Sequence, residues 1–149
     1  MSAALRALAE RPPSEVEWED LLVRLEIVPR ALRLAVEDVG DSAEARAVLG
    51  GAVGRERAVS DVFLPALRAG EPVPDIERAP AAPDGADARA MVDDFARLRE
   101  RNFAQLQRRG LNVWEWRSQV EGGGAVTAYQ LMQWLARNDG DTLAALRRR

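Results

Sequence analysis

Apolar residues recur along this chain at helical intervals. Leu21, Leu25, Val28, Leu32 and Val36 step by three or four residues, which keeps them on one helix face. The spacing predicts a helix over 15–39. Ser14 and Glu17 stand in capping-box register at its start. Pro29 removes one backbone bond inside it and is expected to kink it. Val48, Ala52, Val59, Val62, Phe63 and Leu67 mark the buried side of a second helix over 42–69, with Asp41 and Glu44 as its start signal. Gly50, Gly51 and Gly54 each cost that helix about 1 kcal/mol relative to Ala, and Pro65 is expected to bend its end. Residues 70–84 hold Gly70, Pro72, Pro74, Pro80 and Pro83 and form a loop.

Asp84 is the expected cap of a third helix over 85–109, striped by Met91, Phe95, Leu98 and Leu106 and stopped by Gly110. Asp93, Arg97 and Arg101 lie on another face, which is expected to be solvated and salt-bridged. A second loop follows with Trp114, Trp116 and Gly122-Gly123-Gly124. The glycine run lacks the Gly-Lys-Ser/Thr ending and the preceding strand of a phosphate cradle. Thr127 and Gln130 open a last helix over 127–147, whose inner side carries Leu131, Leu135 and Leu146. Strand signals are weak, because Val never alternates with polar residues over a useful length. The expectation is an all-α, single-domain chain over 1–149: an antiparallel-type four-helix bundle with a Pro-rich loop between helices 2 and 3 and a Trp/Gly-rich loop between helices 3 and 4.

Composition removes several chemistries. The chain has no His, no Cys and no Lys, so all 21 of its basic side chains are Arg. Imidazole catalysis, thiolate nucleophiles, Schiff-base amines, disulfides and thiolate zinc sites are all excluded. No stretch approaches the ~20 apolar residues of a membrane span, and no signal-peptide pattern opens the chain. A cytoplasmic protein is expected. The net charge of −3 gives no general attraction for nucleic acid, and Arg147-Arg148-Arg149 suits the negative end of a helix dipole. Neither a nucleic-acid partner nor a membrane partner is expected.

The order of motifs resembles the DinB-like superfamily of metal-binding four-helix proteins. Glu56-Arg57 followed by Val62-Phe63-Leu64-Pro65-Ala66-Leu67 is similar to that family's Glu-Arg, apolar-Phe-Leu-Pro-x-Leu stretch. Trp114, then Val126-Thr127, then Leu131-Met132-Gln133-Trp134-Leu135-Ala136 resembles the approach to its final helix. The likeness spans roughly residues 45–147. It implies a bacterial, stress-associated protein that forms homodimers. Members typically bind a divalent metal through one His on the second helix and two, four residues apart, on the last. The matched positions here are Gly51, Asn138 and Thr142, and Asp139 matches the Asp between the paired His. A backbone, an amide and a hydroxyl do not make a zinc or nickel site. No metal and no cofactor are therefore expected, and the family's thiol-dependent transfer and isomerisation chemistry loses its metal.

Gly51, Glu56, Asn138, Asp139 and Thr142 are the candidate pocket. They either line a small-molecule site inherited from the metal centre or close as satisfied polar residues, with Thr142 bonding back to a helical carbonyl. Glu56 is read either as an acid–base group of raised pKa or as the partner of an Arg that orients the helices. Asp139 and Asp141 could join Glu56 around Mg²⁺ or Ca²⁺, although residues two apart diverge on a helix. Trp18, Trp114, Trp116 and Trp134 are expected to close core ends rather than to stack on a ligand. The leading expectation is a metal-free, non-catalytic protein that binds a small molecule or dimerises. The alternative is a thiol-dependent transferase or isomerase with a relocated, metal-independent site. That enzyme needs a way to activate a thiol; a buried Arg beside Gly51, Glu56 and Thr142 could supply it, and the motif pattern itself contains none.

Overall fold

Side-chain oxygens set the helix starts in the computed structural model, which describes residues 13–76, 86–107, 113–121 and 123–148, the side chain of Trp114 excepted. Ser14 and Glu17 close the expected capping box on α1 (Glu15–Val39), and Gly40, at φ 77°, ends it. α1 continues as helix through Pro29. Ser42, one residue after the expected Asp41, caps α2 (Ala43–Ala58) by accepting from the Ala45 amide. Asp41 turns away and accepts from the amide of Ala88. α2 runs on through a π-helical turn (Val59–Phe63) into α3 (Leu64–Ala69), making one long rod. The widened turn sits directly before Pro65, whose ring cannot share a normal turn with the carbonyl four residues back.

Asp87, not Asp84, caps the third rod, α4 (Ala88–Leu106), by accepting from the Ala90 amide at 2.7 Å. Asp84 and Gly110 lie outside the described residues. The capping box of Thr127 and Gln130 forms as expected on α5 (Ala128–Arg147). Asn138-Asp139-Gly140-Asp141 does not stop that helix. The Trp/Gly-rich connection departs from an all-helical reading. β1 (Arg117–Gln119) pairs antiparallel with β2 (Ala125–Thr127), with Ser118 opposite Val126. Val73 adds a parallel bridge to Val120. Gly123 and Gly124, at φ 104° and 85°, turn the hairpin, so part of the glycine run serves a tight turn. Three-residue strands are too short to show alternation.

The main packing pairs are α1 with α5, α2 with α4, α1 with α4, and α2 with α5. Paired residues give the directions. Trp18 meets Tyr129 and Leu25 lies level with Asp139, so α1 and α5 run parallel. Asp41 reaches Ala88 and Ser60 reaches Gln105, so α2 and α4 run parallel. Arg33 pairs with Asp93, which sets α1 antiparallel to α4. The order is up, down, down, up.

The core has two apolar halves. One gathers Trp18, Leu21, Leu25, Phe63, Leu64, Leu131 and Trp134, with Trp116 packed against it. The other gathers Val28, Leu32, Leu49, Val53, Met91, Phe95 and Leu146. Val62 is a correction: it is 41% exposed, turned outward within the π-helical turn. Asp93, Arg97 and Arg101 face solvent as expected; Arg97 pairs with Asp94, and Arg101 with Asp61 at 3.7 Å. No described helix is long and apolar enough to cross a membrane.

Candidate functional site

Between the two apolar halves lies a charged layer to which every rod contributes. Its centre is Arg99 on α4, 2% exposed. Arg99 stands four residues after Phe95 and within the apolar stripe of its helix, so folding carries it inward. Its guanidinium carbon lies 4.7 Å from the centre of the Phe95 ring. Its Nε donates to Glu56 Oε1 at 2.7 Å and its Nη2 to Glu56 Oε2 at 2.9 Å. On the other side, Nη1 and Nη2 donate to Asp139 Oδ2 and Oδ1, each at 2.9 Å. Nη1 also donates to the carbonyl oxygen of Leu25 at 2.7 Å. A guanidinium has five N–H donors, and each has an acceptor here. Arg99 therefore has no donor left for a ligand.

Glu56 is fully buried. Its carboxylate also accepts from Asn102 Nδ2 at 2.9 Å. The second Asn102 bond, to the Glu56 carbonyl, locks the α2 backbone to α4. Asn102 Oδ1 is buried without a partner, one of three such side-chain atoms among the described residues. Burial alone would lower the Arg99 pKa, but the two carboxylates outweigh it and hold the guanidinium charged well above its ordinary value. Burial raises the Asp139 pKa; Arg99 opposes the rise, and Glu56 adds to it.

A second cation completes the layer. Arg55 on α2 is half-buried and lies against Gly51 one turn earlier; a Cβ at Gly51 would sit 3.4 Å from Arg55 Nη1. Its Nη2 donates to Thr142 Oγ1 at 3.2 Å. Burial pulls the Arg55 pKa below its ordinary value, against the carboxylates of Asp139, Glu56 and Asp141. It makes no ion pair within 4.0 Å among the described residues.

The five candidate residues thus separate into three arrangements. Glu56 and Asp139 meet across Arg99. Gly51 and Thr142 meet across Arg55. Asn138 turns back along its own helix and donates to the Trp134 carbonyl at 2.9 Å. Thr142 does not bond back to its helix as the closed alternative supposed; it accepts from Arg55 instead. A cleft of about 260 Å³ between the end of α1 and the start of α4, lined by Arg33, Gly40, Asp87 and Val92 among others, uses none of the five.

Two arginines therefore occupy the neighbourhood where the motif pattern contained none. The signal was present in the sequence. Glu56, Arg99 and Asp139 each interrupt an apolar stripe, and their charges are complementary. A divalent metal does not fit the residues present. The oxygens of Glu56 and Asp139 are committed to a guanidinium, and Asp141 is exposed. Among the described residues no cluster of three or more acidic side chains is placed to hold an ion. Comparison with protein-family models, with curated proteins and with solved structures finds no match for this chain.

Proposed function

We propose that this chain is a DinB-like four-helix bundle in which a guanidinium has taken over the cross-linking task of a metal ion, leaving a non-catalytic binding or self-associating protein. Arg99 carries the reading. It joins all four rods at the level where Gly51, Asn138 and Thr142 match the ligand positions, and its donors are all used. The Pro-rich sequence after the Phe63-Leu64-Pro65 stretch is consistent with the same family. A cytoplasmic, stress-associated role belongs to this proposal through the resemblance alone.

Elemental analysis of untagged protein, with thermal-shift readings after addition of zinc, nickel, manganese or magnesium, tests it. The expected result is no stoichiometric metal and no stabilisation. Bound metal at one equivalent, or a saturable upward shift of melting temperature, overturns it.

Arg55 favours a second reading, the thiol-dependent enzyme. It is a half-buried cation beside Gly51 and Thr142, with donors to spare and a charge that would stabilise a thiolate. Thiolate absorbance of N-acetylcysteine, titrated with wild-type protein and with Arg55→Met, discriminates the two. A lower thiol pKa with wild type alone supports the enzyme reading; identical curves remove it.

A further inference from the structure

α1 is apolar on two faces, and its own chain covers one of them. Trp18, Leu21, Leu25, Val28 and Leu32 point into the core. Val16, Val23, Ile27 and Leu34 point outward and are 65, 56, 60 and 59% exposed. Apart from Val62, these are the exposed large apolar side chains of the described surface. Asp20 and Arg30, both exposed, complete the row. Positions 16, 20, 23, 27, 30 and 34 step by four and three alternately, the spacing of a coiled-coil seam. The buried residues Trp18, Leu25 and Leu32 occupy the heptad position directly opposite that seam, so the row faces away from the rest of the chain. Neither Asp20 nor Arg30 has an ion-pair partner among the described residues.

The row is complementary to its own reverse. Two copies of α1 laid antiparallel about a two-fold axis level with Leu25 place Val16 opposite Leu34, Asp20 opposite Arg30, and Val23 opposite Ile27. Each of these pairings occurs twice. A parallel, in-register pairing would instead set Asp20 against Asp20 and Arg30 against Arg30. The charges therefore choose both direction and register. We propose that the outward face of α1 docks antiparallel on the same face of a second copy of this chain, an isologous contact. Homodimers were expected from resemblance alone; the surface, direction and pairing come from this row and do not depend on the reading of the Arg99 layer. Like pairs of Arg24 and of Glu26 flank the axis on opposite edges of the seam, so the contact is a moderate one that concentration drives.

Sedimentation equilibrium of the wild-type chain from micromolar to near-millimolar concentration should show a monomer–dimer equilibrium. Asp20→Arg alone sets Arg against Arg twice, and Arg30→Asp alone sets Asp against Asp twice. Each should weaken the dimer by about tenfold or more. An equimolar mixture of the two variants should restore it as a heterodimer, as should the double variant. Both side chains are exposed, so circular dichroism of each variant should match wild type. A wild-type chain that stays monomeric over the whole range overturns the proposal; it would leave this face to residues 1–12 or to a different protein. Single variants that dimerise as tightly as wild type, or a mixture no tighter than its components, overturn it equally.

Discussion

Removing the positive charge from position 99 would leave two buried carboxylates facing one another. Arg99→Met should therefore destabilise the fold by about 3–5 kcal/mol, the usual cost of stranding buried charge. Urea unfolding measures it. Replacing the whole set, Glu56→Met with Arg99→Met and Asp139→Leu, should recover much of that loss, because no carboxylate is then left buried without its guanidinium. A triple variant as unstable as the single one would show that packing, not charge, dominates. Asp139 also makes a pH prediction. Its pKa is raised on folding, chiefly by burial. The native state then holds a proton that the unfolded chain releases, so this residue's contribution to stability is complete below the ordinary carboxylate range. It is lost as pH rises through the folded pKa. Carboxyl carbon NMR should find the Asp139 midpoint above the ordinary aspartate range. A midpoint within or below that range would contradict this account.

At the scale of the element, propensity and tertiary demand disagree in instructive places. Gly140 lies inside α5, exposed, with nothing within 4 Å of an added Cβ. Gly140→Ala should raise stability by about 1 kcal/mol, read as a higher urea midpoint at unchanged slope. A loss of stability would mean that the helix does not run through this position. The rods themselves were legible in the sequence, since stripes and caps are local signals: the limits of α1 and the capping box of α5 agree with it. The β1–β2 hairpin was not, because its strands are three residues long and depend on Val73 for a third partner. The π-helical turn was seen only as a bend near Pro65. Arg99 escaped because its helix carries six other arginines and acids, five of them exposed, and nothing local separates the one that turns inward. Its position between Phe95 and Leu106 on the apolar stripe, matched to similar interruptions at Glu56 and Asp139, was the signal available.

Across the whole molecule, the charged layer divides two apolar clusters and ties them together. Trp18 and Trp134 belong to one half, while helix content is spread over both. If the layer couples the halves, tryptophan fluorescence and far-ultraviolet circular dichroism should trace one coincident urea transition. Separate midpoints would mean that the halves unfold independently. A layer of opposite charges also fixes how far each rod is slid along its neighbours. A slip of one turn, about 5.4 Å, would preserve much of the apolar contact yet pull Arg99 off its carboxylates.

The partners of Arg99 lie 74, 43 and 40 residues away along the chain. No neighbouring pair of rods can complete the layer alone: a docked α2 and α4 would hold a cation with two of its five acceptors, and α5 would arrive with an unpaired acid. Partial assemblies are thus penalised electrostatically until the last rod docks. The search for the native state must close several long loops before it is rewarded. Folding should therefore be slower than helix content alone suggests, with the decisive barrier set by assembly of the charged layer rather than by formation of the helices.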